Sequence, residues 1–88
     1  MKNKKIVAIE WLDSKGVVNE WEYYDDIKPL KPIVCISVGF LLENNKKYKT
    51  IVQSIGDGQI LGRLTIPNCS IKKITVIQYW NIIKKFFT

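Results

Sequence analysis

Histidine is absent from this sequence. Its absence excludes imidazole acid–base catalysis, the common nucleophilic triads and most zinc sites. Cysteine is scarce: Cys35 and Cys69 are the only two, and neither forms a CxxC pair. Each sits in or beside an apolar stretch, and the expectation is two reduced, buried thiols. Arginine occurs once, as Arg63, so the chain has a single guanidinium for bidentate anion binding. No apolar run approaches the ~18 residues of a membrane span. The basic start Lys2-Asn3-Lys4-Lys5 is followed by a stretch broken at Glu10 and Asp13, which leaves no signal-peptide core.

What is present is a chain of 88 residues that is 47% hydrophobic, enough for one folded domain over 1–88. Its formal charge of +6 comes from 14 basic and 8 acidic residues. With 13 lysines and many Ile and Asn, part of the basic excess reflects AT-rich coding rather than a ligand. The charge is also uneven. Residues 10–26 hold six acids against Lys15, a net −5, and residues 27–88 hold ten bases against Glu43 and Asp57, a net +8. Such asymmetry steers partners or pairs subunits head to tail.

Short apolar segments separated by turn residues read as strands. Residues 5–12 and 17–24, joined at Asp13-Ser14-Lys15-Gly16, predict an N-terminal β-hairpin over 5–24. In its second strand Glu20 and Glu22 would share one face and Trp21 and Tyr23 the other. Residues 25–32, with Pro29 and Pro32, form an extended connector; a PxxP ligand is the rival reading. Residues 33–42 are the strongest apolar run, and Gly39 marks a bend. A polar turn at 43–47 precedes strands over 48–55 and 59–66, which are joined at Gly56-Asp57-Gly58. A 3₁₀ turn over 67–70 leads to a last strand at 71–77. The tail, 78–88, has apolar positions 79, 80, 82, 83, 86 and 87, a helical spacing. The expectation is an all-β fold: a small SH3-like or Sm-like barrel, with barrel strands over 33–77, the N-terminal hairpin and a short amphipathic C-terminal helix.

Three constellations carry chemistry. Lys46, Lys47, Lys49, Arg63, Lys72 and Lys73 are the candidate anion contacts, with Tyr48 able to stack on a base. Trp21, Tyr79, Trp80, Ile83, Phe86 and Phe87 are the candidate interface, because a barrel this small cannot use so many aromatics in its core. A membrane-surface helix is the rival for the tail. Glu20, Glu22, Asp25 and Asp26 read as a solvated acidic face; no metal ligand set is assigned to them. Gly56, Gly58 and Gly62 fit hairpin turns better than any phosphate loop. No catalytic residue and no cofactor are assigned.

The segments Trp21-Glu22-Tyr23, Asp25 to Leu30, Cys35-Ile36-Ser37-Val38-Gly39-Phe40-Leu41-Leu42 and Gly62-Arg63-Leu64-Thr65-Ile66-Pro67 resemble small uncharacterised proteins of tailed bacteriophages and prophages. The likeness covers roughly residues 6–77 and implies a viral origin and a small barrel. It transfers no functional residue. Size and context then favour a non-enzymatic binding protein in the host cytoplasm. It would be a homo-oligomer that counters a host enzyme or defence system, by binding a host protein or by sequestering an anionic, nucleotide-type signal. The alternatives are an Sm-like nucleic-acid binder and a virion morphogenesis adaptor. No membrane partner is expected.

Overall fold

Five strands form one antiparallel sheet in the computed structural model, which describes residues 5–79. They are β1 (Lys5–Asp13), β2 (Ile33–Asn44), β3 (Tyr48–Ile55), β4 (Ile60–Pro67) and β5 (Ile71–Tyr79). Single 3₁₀ turns occupy Tyr24–Asp26 and Asn68–Ser70, and the described residues contain no α-helix. The order across the sheet is β4-β3-β2-β1-β5.

β1 organises the sheet. Its alternation of Val7, Ile9 and Trp11 with Ala8 and Glu10 suits a strand with one apolar face. Val7 and Ile9 are fully buried, and each such side chain contributes about 1.5–3 kcal/mol of burial. They join Leu41, Ile51 and Ile66 in the core, with Trp11, Leu64 and Ile71 packed against them. The Trp11 indole N–H donates to the Ser37 hydroxyl at 3.0 Å, which satisfies its only polar atom at the margin of this core.

β2 serves two partners in succession. It pairs with β1 from Ile33 to Phe40 and with β3 from Phe40 to Asn44, so only Phe40 belongs to both ladders. Gly39 sits at this handover. A Cβ there would lie 2.8 Å from the Val52 carbonyl oxygen and 3.3 Å from the Ile51 Cβ. The absence of a side chain lets the two backbones approach while β3 swings away. β3 is accordingly buried on both faces, with Ile51 in the core and Thr50 and Val52 on the other side. The Thr50 and Thr65 hydroxyls share a hydrogen bond of 2.7 Å across β3 and β4.

The structure corrects the N-terminal hairpin expected over 5–24. Residues 17–24 form no strand; β1 pairs instead with β2 on one edge and with β5 on the other. A strand has two edges, and both are taken. The Val/Ile-rich segment from Ile33 wins because it also supplies the core, which the acidic-aromatic segment does not. Glu20 and Glu22 therefore share no strand face, and Asp13 to Gly16 make no tight hairpin turn. Residues 14–32 become a long exposed lobe between β1 and β2. At its neck Gly16, with a φ of +136°, lies against Leu30, so the two limbs of the lobe run side by side.

The other elements fall close to expectation. The connector over 25–32 lacks strand, the 3₁₀ turn before the last strand is present at Asn68–Ser70, and β2 to β5 occupy the expected segments. Two boundaries move. β2 continues to Asn44, which shortens the polar turn, and β5 continues through Gln78 and Tyr79, where the helical tail was expected to begin. These last positions find ladder partners in Ile6 and Lys5. The rest of the expected helix lies outside the described residues. Cys35 and Cys69 are free, but Cys69 is exposed and Cys35 only half-buried, so the expectation of two buried thiols fails. Cys69 lies in the 3₁₀ turn, which runs over the surface.

Replacing Gly39 by Ala tests the handover. Overpacking against a backbone carbonyl should cost about 1–3 kcal/mol, read as a lower urea midpoint at unchanged slope. An unchanged midpoint would show that β2 and β3 have room to part there.

Candidate functional site

Two surfaces collect the residues that sequence reasoning singled out. The first is built on the turn between β2 and β3. The Asn45 side-chain oxygen accepts the backbone N–H groups of Lys47 and Tyr48, each at 2.9 Å, which fixes a tight Asx-type turn. Asn68 then ties this turn to the 3₁₀ turn before β5. Its backbone N–H donates to the Lys47 carbonyl at 2.9 Å, and its side-chain amide donates to the Asn45 carbonyl at 2.8 Å. The Lys49 ammonium is held by the side-chain oxygens of Asn44 and Asn68 at 2.9 and 3.3 Å.

This network brings Lys46, Lys47, Tyr48 and Lys49 beside the start of β5. Two residues separate Asn68 from Ile71, and Ile71 pairs with Trp11. Lys72 and Lys73 follow four and five residues past Asn68, at most about 14 and 18 Å of extended chain from it. Lys73 lies opposite Glu10 across the β1–β5 ladder, an opposite-charge pair that partly offsets its charge. Arg63 stands apart. It pairs with Val52, four residues along β4 from the Pro67–Tyr48 pair, which is about 13 Å. The hydrogen bonds thus fix Lys46, Lys47, Tyr48 and Lys49 at one pinned pair of turns, while Lys72 and Lys73 follow farther along β5 and Arg63 stands on β4. Sequence reasoning missed Asn44, Asn45 and Asn68. Their only signal was the density of Asn beside Lys, since side-chain amides favour turns for local reasons.

The second surface is the lobe. Trp21, Tyr24, Val17 and Tyr23 are 102, 93, 87 and 82% exposed. Within the lobe Val18, Trp21, Tyr24, Ile27, Pro29 and Leu30 line an open groove of about 860 Å³, with Glu22 and Lys28 at its rim. Asp25 and Asp26 lie in the 3₁₀ turn of the lobe, where the Asp26 N–H donates to the Tyr23 carbonyl at 3.0 Å. Apolar exposure continues along the hairpin that bears the lobe: Ile36, Val38 and Val34 are 71, 55 and 52% exposed. They alternate with the core-facing positions of β2 and so share its outer face.

Trp21 is exposed. The side chains of Tyr79, Trp80, Ile83, Phe86 and Phe87, the other interface candidates, lie outside the described residues. Trp11 packs against the core, and Phe40 is half-buried on the opposite face of β2. The glycine turn at 56–58 closes a hairpin: the Gly56 N–H donates to the Gln59 carbonyl at 2.8 Å, and Ile55 faces Ile60. Among the described residues no group of three or more acidic or thiol side chains is placed to hold a metal ion, and no helix is long and apolar enough to cross a membrane. No family model, curated protein or solved structure matches the chain.

Asn68→Ala removes the amide that joins the two turns. Stability should fall by about 1–2 kcal/mol, with faster amide exchange at Lys47 and Tyr48. Unchanged exchange would show that the lysine turn holds its shape alone.

Proposed function

We propose that this protein is a non-enzymatic binding module that acts through the acidic, aromatic lobe on a protein surface. The observation that carries the reading is the exposure of Trp21, Tyr23 and Tyr24 on the lobe, with Ile36 exposed on β2. Large exposed apolar patches mark interaction sites, and aromatic side chains are the usual anchors of protein interfaces. Glu20, Glu22, Asp25 and Asp26, set against Lys15, Lys28 and Lys31, leave the lobe at a net −1, which favours a basic partner over an acidic one. The resemblance to phage proteins makes that partner a host protein, an enzyme or a defence component, met in the host cytoplasm.

The fold that presents the lobe is read as a small SH3-like barrel. Support comes from the order of elements: a β1–β4 meander, a 3₁₀ turn, and a β5 that returns to β1. Further support is the handover at Gly39, which lets one strand serve two halves of a curled sheet.

Self-association belongs to the same reading. Among the described residues, β4 and β5 each have a ladder partner on one edge only, and edge strands invite pairing. The acidic stretch 10–26 and the basic remainder add complementary charge. In light scattering at tens of micromolar, a mass at least double the 10.2 kDa chain is expected. A single species at the chain mass sinks the homo-oligomer.

One observation favours a second reading, an anionic ligand of nucleotide or nucleic-acid type. Asn68 pins the lysine turn against the 3₁₀ turn before β5, which fixes Lys46, Lys47 and Lys49 with Tyr48 beside them, and Lys72 and Lys73 follow on β5. Titration calorimetry with a nucleotide panel and gel shifts at two salt concentrations separate the readings. Phosphate-driven binding weakens steeply with salt. Heat without a nucleic-acid shift supports a small anion; silence in both assays leaves the protein-binding reading alone.

A further inference from the structure

The groove of the lobe has an occupant with fitting chemistry in the chain itself. Residues 80–87, Trp-Asn-Ile-Ile-Lys-Lys-Phe-Phe, combine five large apolar side chains with two cations and no acid. The groove offers apolar walls from Val18, Trp21, Tyr24 and Leu30, with Glu22 and Lys28 also lining it, and the lobe as a whole sets Glu20, Glu22, Asp25 and Asp26 against Lys15, Lys28 and Lys31, a net −1. The other cationic element, the lysine turn, is a poorer match. Its tip, Asn45-Lys46-Lys47, is polar throughout and would leave the apolar walls wet.

Reach decides which copy supplies the segment. β5 runs antiparallel to β1, and Tyr79 pairs with Lys5, at the end of β1 farthest from the lobe. From Lys5 to Asp13 is about 26 Å along the strand, and the groove lies beyond Asp13. Phe87 is eight residues past Tyr79, at most about 28 Å of fully extended chain. Trp80, Ile82 and Ile83 of the same chain therefore fall short of the groove, and β5 leaves the sheet heading away from it. We propose that the groove between the limbs of the lobe takes residues 80–87 of a second copy of this chain. The inference rests on the homo-oligomer reading and names the contact that would make it.

The test uses charge exchange in the full chain. The lobe variant is Glu20→Lys with Glu22→Lys, and the tail variant is Lys84→Glu with Lys85→Glu. Circular dichroism and urea midpoints establish that both fold. Sedimentation velocity at 50 mM salt should show each variant associating at least tenfold more weakly than the parent. An equimolar mixture, one variant ¹⁵N-labelled, should recover mixed oligomers in native mass spectrometry. Trp21→Ala, which removes an apolar wall without altering charge, should weaken association by a similar factor. If the parent associates and all variants associate equally well, the groove is not the contact, although the homo-oligomer stands. If the charge variants separate but their mixture does not recover, lobe and tail do not meet, and the inference falls. If the parent itself stays at the mass of one chain, the homo-oligomer reading falls with it. A groove that instead binds a basic amphipathic peptide of unrelated sequence, with the parent monomeric, assigns the surface to a foreign partner.

Discussion

Both edges of β1 are occupied, and most of the architecture follows from that. Its hydrogen bonds go to β2 on one side and β5 on the other, while Val7 and Ile9 point into the core. A segment that follows β1 in sequence but offers less to bury has no edge left to join. Residues 14–32 are thereby ejected as a lobe, even though 17–24 has the alternation of a strand. Among the described residues, the same constraint places β4 and β5 at the margins of the sheet, each with a ladder partner on one edge, and leaves the lobe and the outer face of β2 exposed.

The bend at Gly39 complements this. A strand that pairs with β1 over its first part and with β3 over its last must change direction, and a side chain at the handover would collide with the Val52 carbonyl. Because β3 diverges there, the chain can return through β4 and a 3₁₀ turn to the start of β5 beside Trp11. Asn68 in that turn then meets the β2–β3 turn. The joining of the lysine turn to the turn before β5 is thus a consequence of how β2 bends. The lobe and the lysine turn are separate surfaces on one scaffold, one apolar and aromatic, the other polar and basic.

Much of the fold was legible. β-branched runs bounded by Gly, Pro and Asn marked β2, β3, β4 and β5, and Asn68–Ser70 was anticipated as a 3₁₀ turn. Of the site, Trp21 could be singled out because the chain holds more aromatics than one small core can use, and the lysines because they cluster at turns. The asparagines that hold the lysine turn were not legible. A side-chain amide at a turn is equally explained by local capping, and only a partner 23 residues away distinguishes Asn68. The hairpin over 5–24 was misread for a related reason: strand propensity is local, whereas competition for an edge is not.

The sequence by itself determined the all-β character, the number of strands after residue 33, the lack of imidazole chemistry and the opposed charges of residues 10–26 and the remainder. These follow from residue type and near-neighbour pattern. Only the tertiary structure decided which segment pairs with β1, that the acidic aromatic stretch stands out as a grooved lobe, and that Asn68 ties the lysine turn to the turn before β5. Each of those depends on segments far apart in sequence competing for the same edge, or meeting across a bend, and no local pattern encodes that outcome.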